Sequence, residues 1–166
     1  HRVHARGAAR ALVVTAVVLS AVLAVATFRR NRVWASDISL WSDAAQKSPG
    51  KSRPHMDLGT ALGAAGRLDD AARELRRAVE LDPASSYARA QLGATLLALG
   101  RPAEAEPELR EAVRLQPGDP EALFNLGMVL LRTGRVDDAK PFMKRFLEVA
   151  PPALVAARRL AERALR

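Results

Sequence analysis

The chain has 166 residues, 49% of them hydrophobic, a formal net charge of +8 and no cysteine. This length suits one ordinary domain plus a smaller segment, and the lack of cysteine excludes disulfides, cysteine-bearing zinc sites and cysteine nucleophiles. Most of the positive charge lies in residues 1–35, which hold six arginines and no acid, so the nearly neutral remainder lacks the basic stripe that nucleic-acid binding requires.

Residues 1–10 form a basic flank, and the 18-residue run 11–28 that follows contains no charged side chain. A helix of that length spans about 27 Å, close to the roughly 30 Å hydrocarbon core of a bilayer. We therefore predict one transmembrane helix over 11–28, which makes the membrane a partner of this segment. Residues 29–35 are predicted to be an interface linker, in which Trp34 lies at headgroup level or packs on the first folded helix.

Two alternatives for the apolar run stay open. The segment Ala24-Val25-Ala26 offers a cleavage site of the kind found in secretory signal peptides. The run is also compatible with a buried helix of a soluble domain. Three arginines precede the run and three follow it within residues 1–35, so the charge distribution does not predict the orientation of a membrane helix.

Residues 36–49 are predicted to form one amphipathic helix. Pro49 lies 34 residues before Pro83, which is the spacing of the repeats that follow. This helix is therefore expected to be the second helix of an incomplete repeat, covering the first complete one. Ser36 or Asp37 is the expected N-cap, because their side chains accept hydrogen bonds from the first turn of a helix.

One pattern occurs three times between residues 52 and 153, at a spacing of 34 residues. Two amphipathic segments of about 14 residues flank a Gly-Arg turn in each unit, and a proline closes the unit because it cannot continue a helix. The pattern predicts three stacked helical hairpins, since one hairpin alone cannot bury its apolar face. The aligned residues are the Leu-Gly pairs at 58, 92 and 126, the Gly-Arg pairs at 66, 100 and 134, Ala71, Ala105 and Ala139, and Pro83, Pro117 and Pro151.

The two sets of repeated glycines have different expected roles. The glycines of the Gly-Arg pairs follow the first helix of each unit, where a positive φ ends a helix. The glycines of the Leu-Gly pairs lie in the middle of the first helix, where glycine costs about 1 kcal/mol relative to alanine. Their recurrence indicates that each allows the neighbouring helix to approach closely. The second set is Gly59, Gly93 and Gly127.

The repeats resemble the tetratricopeptide (TPR) pattern W-x2-L-G-x2-Y, A-x3-F and Pro. The small and turn residues match, while leucine, methionine, histidine or arginine stands at the aromatic positions. The resemblance implies an all-α solenoid of three TPR repeats, at 52–85, 86–119 and 120–153. The half-repeat helix 36–49 and the predicted transmembrane helix precede this solenoid in the chain. A capping helix with a polar outer face is expected over 154–166. Its buried face is predicted to contain Leu154, Ala157, Leu160, Ala161 and Ala164.

No catalytic, cofactor-binding or metal-binding pattern occurs in the sequence, which has neither a glycine-rich phosphate loop nor a His-x3-His pair. We therefore expect no enzymatic activity and no cofactor. The TPR resemblance implies that the first helices line a concave groove that binds a protein or peptide. The groove positions carried over from the family are Arg53, Met56, Asp57 and Thr60, then Tyr87, Ala90, Gln91 and Ala94, then Glu121, Phe124, Asn125 and Met128.

Two functions are compatible with these features. In the first, the chain is a membrane-anchored scaffold whose groove anchors are Tyr87, Phe124 and Met128, with packing between helices as the alternative role of these three residues. In the second, the stretch from Arg30 to Gly59 resembles the junction of polytopic membrane proteins with C-terminal TPR arrays, such as the TPR-bearing O-mannosyltransferases. That resemblance implies the tail of a glycosyltransferase whose catalytic part lies upstream, with the array outside the cytoplasm.

Overall fold

The computed structural model describes residues 36–165, and in this range the chain forms eight α-helices and no strand. Each helix packs against the next one along the chain, so the helices form a series of antiparallel pairs. The helices are α1 (Asp37–Lys47), α2 (Ser52–Ala64), α3 (Leu68–Leu81), α4 (Ser86–Ala98), α5 (Pro102–Leu115), α6 (Pro120–Arg132), α7 (Val136–Val149) and α8 (Val155–Ala164).

The two layers of helices in the array pack differently. The first helices of the repeats contact one another, α2 with α4, α4 with α6, and α6 with α8. The backbones of the second helices α3, α5 and α7 do not approach one another in this way within the described part of the chain, although Arg76 of α3 and Glu104 of α5 form an ion pair. The first helices therefore form the inner layer, which lies closer together, and the second helices form the outer layer.

The glycine of each Gly-Arg pair ends the first helix of its repeat, as the sequence predicts. Gly66 has a φ of 76°, a backbone conformation that residues with a Cβ rarely adopt. The N–H of Arg67 donates to the carbonyl oxygen of Leu62 at 2.9 Å, and the N–H of Gly66 donates to that of Gly63 at 3.0 Å. This is the Schellman arrangement, which satisfies the last carbonyl groups of a helix. It recurs at Gly100 and Gly134, where φ is 73° and 78°.

At the mid-helix glycines of the inner layer, the two helices of a repeat approach so closely that a Cβ has no room. A Cβ added at Gly59 would lie 2.6 Å from Cγ of Leu75, and one added at Gly127 would lie 2.6 Å from Cε of Met143. A Cβ at Gly93 would overlap the side chain of Leu109 in the same way. The predicted role of these glycines in close helix approach is confirmed.

One apolar cluster spans all three repeats, and smaller clusters flank it. The central cluster begins at Ala72 in the first repeat and continues through Leu109 to Ala139 in the third. A second cluster around Phe146 joins the third repeat to α8. At the other end, Trp41 of α1 packs on the buried residues of the first repeat. Neighbouring repeats therefore share their buried surface, as expected for a solenoid.

The helix α1 begins at an N-cap, and Ser36 fills that role rather than Asp37. The hydroxyl oxygen of Ser36 accepts a hydrogen bond from the N–H of Ser39 at 3.2 Å, and the Ser39 side chain interacts in return with the N-cap backbone. This reciprocal arrangement is a capping box, which satisfies two groups that the helix start would leave without partners. The capping box therefore fixes the start of the half-repeat helix at Ser36.

The capping helix α8 differs from the prediction in the residues that it buries. Leu154 and Leu160, which were expected on the buried face, are 43% and 46% exposed, and only Ala161 of the predicted set is fully buried. Ala157 and Ala164 are half-buried. The physical reason is that α8 packs only on α6 and α7 among the described residues, so its apolar positions on the other side have no neighbouring helix.

The basic flank 1–10, the predicted transmembrane helix 11–28 and the linker 29–35 all lie outside the residues that the structure describes. Among the helices between residues 36 and 165, none has the length and the apolar character needed to cross a membrane. The prediction for 11–28 therefore stays a prediction.

Candidate functional site

The inner layer carries one row of side chains that the core does not bury. The row holds one residue from the first turn of each inner helix, spaced one repeat apart, namely Arg53, Tyr87 and Glu121. The side chain of Arg53 is 84% exposed, Tyr87 is 46% exposed, and Glu121 is also exposed. These three predicted groove residues therefore form an accessible edge along the array.

Several other predicted groove residues contribute to packing instead. Ala90 is fully buried. Met56 and Met128 are half-buried and pack against the central core cluster. Phe124 is half-buried, and its ring centroid lies 5.1 Å from that of Phe146, with the two rings tilted by 48°. These side chains therefore pack between helices, which was the alternative to a binding role for Phe124 and Met128.

The polar residues among the predicted groove positions form contacts both between inner helices and within one helix. The Nε2 atom of Gln91 in α4 donates a hydrogen bond to the Oε1 atom of Glu121 in α6, at 2.9 Å. Thr60 uses its hydroxyl locally, donating to the carbonyl oxygen of Met56 at 3.0 Å. The Oδ2 atom of Asp57 is buried without a hydrogen bond and lies 3.6 Å from Nε of Arg53.

The carboxyl group of Glu121 is partly shielded from water, although the residue as a whole is exposed. Its pKa is raised above the usual value, first because the group is partly removed from water and second because the charge of Asp119 is close. The hydrogen bond from Gln91 acts in the opposite direction and lowers the pKa. Burial and a like charge both disfavour the ionised form of a carboxyl group. A cation placed beside Glu121 would offset both effects.

A first cavity, of about 310 Å³, opens between α2 and α4. It contains the predicted groove residues Thr60, Gln91 and Ala94, and the rest of its wall consists mainly of small residues such as Gly63 and Ala98. Small side chains allow another backbone to approach closely. This cavity therefore suits an extended peptide segment better than a bulky side chain.

A second cavity, of about 560 Å³, lies at the C-terminal end of the inner layer between α6, α7 and α8. Two predicted groove residues, Glu121 and Phe124, line it. Its other walls were not predicted from the sequence, and they include Phe146 of α7 and Leu154 and Ala157 at the start of α8. These residues belong to an outer helix and to the cap, so the groove positions of the repeat pattern do not include them.

A third cavity, of about 470 Å³, lies on the outer side between α3 and α5. Its carboxylates are engaged in ion pairs: Glu104 contacts Arg76 at 3.0 Å, and Glu108 contacts Arg89 at 2.6 Å. These pairs join neighbouring helices, so we assign this surface a structural role. Within residues 36–165 no group of three histidines or acidic residues is close enough to hold a metal ion.

The comparison with known protein families gives one match. The sequence pattern of the family described as Tetratricopeptide repeat matches residues 56–120 and, overlapping them, 91–153. These ranges contain the second and third repeats and most of the first. No curated protein sequence matches the chain. The comparisons do not support the resemblance of residues 30–59 to the junction of O-mannosyltransferases.

Solved structures share the fold. A crystal structure of MamA has a TM-score of 0.68 and 24% sequence identity, covering 78% of this chain and 78% of that chain. TTC0263, a TPR protein of Thermus thermophilus, has a TM-score of 0.64 and 25% identity, covering 77% and 71%. The type III secretion chaperone SycD of Yersinia enterocolitica, solved with a peptide of the translocator YopD, has a TM-score of 0.62 and 19% identity, covering 68% and 88%.

The sequence pattern and the geometry lead to the same assignment. The matched ranges together extend over more than half of the chain. The helical hairpins, the Schellman turns and the close approach at the mid-helix glycines all recur at the same 34-residue spacing. The chain belongs to the tetratricopeptide repeat family.

Proposed function

We propose that this chain is a non-catalytic interaction scaffold that binds a peptide or protein segment on its inner layer of helices. The observation that carries the proposal is the exposed row of Arg53, Tyr87 and Glu121 on the inner layer. Two cavities also open between helices of this layer and their neighbours, and Glu121 lines the larger of these two. The similarity to SycD, whose structure contains a bound peptide, supports a peptide as the kind of partner.

Tyr87 and Phe124 are the side chains best suited to anchor such a partner. Aromatic residues supply a large contact area with few rotatable bonds, and they dominate binding energy where water is excluded. Tyr87 is 46% exposed, although it is a large and mostly apolar residue. Phe124 is held against Phe146 at the wall of the second cavity, so a partner that enters the cavity meets an ordered ring.

We expect Tyr87→Ala and Phe124→Ala each to weaken binding of a groove peptide by on the order of 1–3 kcal/mol, because each removes an aromatic contact. The probe is a peptide selected for binding to the full 166-residue chain from a random peptide display library. Its dissociation constant is measured by fluorescence anisotropy for the unmodified chain and for each variant.

The matched control for these variants is Val136→Ala. Val136 is 45% exposed, about as much as Tyr87, but it begins an outer helix. Binding to this variant is expected to be unchanged. Equal affinities for the unmodified chain, Tyr87→Ala and Phe124→Ala would contradict groove binding, provided that circular dichroism shows all three proteins folded.

We further propose that residues 11–28 anchor the chain in a membrane, with the array on the extracytoplasmic side. The uncharged run and the arginines at both of its ends support the anchor. Because the chain contains no cysteine, the variant Arg166→Cys carries a single thiol. We expect a membrane-impermeant maleimide to label it in intact cells. Labelling only after lysis would place the array in the cytoplasm, and release of the protein by alkaline carbonate would contradict the anchor.

A further inference from the structure

One position of the repeat pattern that lines the cavity between α6, α7 and α8 carries a smaller side chain at the C-terminal end. Ala157 stands one repeat period, 34 residues, after Leu123. Leu123 is only 2% exposed and belongs to the buried cluster around Phe146. The position that leucine occupies in the third repeat is thus held by the smaller alanine in α8, at the wall of the cavity of about 560 Å³.

The walls of this cavity are apolar. Pro120 and Phe124 come from the start of α6, Phe146 from the end of α7, and Leu154 and Ala157 from the start of α8. The volume lies within the range of about 300–1,000 Å³ that is usual for ligand pockets in proteins. Such walls favour a large apolar side chain, for example leucine, methionine or phenylalanine, because its transfer from water is favourable.

The rim of the cavity is acidic. Asp119 and Glu121 both line it, and neither carboxylate takes part in an ion pair among the residues from 36 to 165. Asp119 accepts a hydrogen bond from the N–H of Glu121 at 3.0 Å, and Glu121 accepts one from Gln91 at 2.9 Å. Two neighbouring carboxylates without a cation favour a basic group on the partner and repel an acidic one.

We infer that this cavity recognises a peptide segment in which a large apolar side chain enters the pocket while a lysine or arginine within two residues of it contacts Asp119 and Glu121. This inference rests on the proposed function, and it specifies the kind of sequence that the groove selects. The two features act separately: the pocket accounts for the apolar residue and the rim for the basic one. Each is therefore tested by its own variant.

The pocket is tested with Ala157→Leu, which places in the cap the residue that the third repeat already has at this position. We expect it to fill the cavity and to weaken binding of a peptide selected from a random dodecapeptide library by about tenfold or more. The matched control is Ala156→Leu, an exposed position of the same helix that does not line the cavity. Its affinity is expected to be unchanged, and thermal unfolding of both variants checks that the array stays folded.

The rim is tested with the double variant Asp119→Asn, Glu121→Gln, which removes both charges but keeps the helix cap and the acceptor for Gln91. Replacing the basic residue of the selected peptide by serine is expected to weaken its binding to the unmodified chain by about fivefold or more. The same replacement is expected to have little effect on binding to the double variant, because the carboxylates are absent. An equal loss with both proteins would overturn the role of the rim.

The outcomes separate this inference from the proposed function. Peptides whose binding depends on Tyr87 but is unaffected by Ala157→Leu would overturn the pocket and leave groove binding intact. Peptides that are insensitive to both Tyr87→Ala and Ala157→Leu would overturn the groove and the pocket together. Selected peptides that lack a large apolar residue within two positions of a lysine or arginine would also contradict the inferred sequence preference.

Discussion

Leu109→Ala is expected to lower the free energy of unfolding by about 2–5 kcal/mol, because the change removes buried apolar atoms and leaves a cavity that the structure fills only in part. Leu109 is fully buried and belongs to the central cluster, which connects all three repeats. In a solenoid each repeat is stabilised by its neighbours, so a defect in the middle repeat weakens two interfaces. Urea denaturation followed by circular dichroism measures the loss.

The control for this variant is Leu160→Ala in the capping helix. The two substitutions delete the same atoms, but Leu160 is 46% exposed. Its replacement is expected to change the free energy of unfolding by less than about 0.5 kcal/mol, as is usual for surface positions. Similar losses for both variants would mean that Leu160 is covered, as the sequence pattern alone predicts.

Gly93→Ala is expected to destabilise the array by about 1–3 kcal/mol, although alanine is normally the better helix former. The added Cβ would overlap the side chain of Leu109, so α4 and α5 would have to move apart. Gly63→Ala is the matched control, since a Cβ at that position would lie 3.9 Å from Cβ of Ala71, an ordinary contact. That control is expected to leave the stability unchanged or to increase it by up to about 1 kcal/mol.

The effects of Gly93→Ala and Leu109→Ala on the free energy of unfolding are expected to be non-additive. In the background of Leu109→Ala the overlap with Gly93→Ala disappears, and the new methyl group fills part of the cavity. The double variant should therefore be more stable than the sum of the two losses predicts, by about 0.5–3 kcal/mol. Strict additivity would show that Gly93 and Leu109 do not contact each other in solution.

The sequence predicted the fold of the repeats because the determining features are local and periodic. A positive φ at Gly66 depends on the residue type and on its place after a helix, and both can be read from the chain. The 34-residue spacing then places Gly59 opposite the second helix of its own hairpin. The TPR solenoid follows from these features, whereas the predicted transmembrane helix falls outside the described residues.

The candidate site was predictable only in part. The repeat pattern assigns residues to the inner layer, but it does not specify how far each side chain projects from it. Tyr87 is exposed, while Met56 and Met128 are drawn into the core, although all three were predicted groove residues. The difference arises because each side chain meets a different set of neighbours from the adjacent repeat.

The repeat unit, its turns and its closest helix contacts could all be derived from the amino-acid sequence, since these depend on residue types at a fixed spacing within one hairpin. The C-terminal end of the array could be understood only from the packing of the folded chain. There α8 packs on one side only, which exposes Leu160, and a cavity lined by Phe124, Phe146 and Ala157 lies between the last three helices. Burial depends on which helices surround a residue, and periodicity does not specify the neighbours of the last helix.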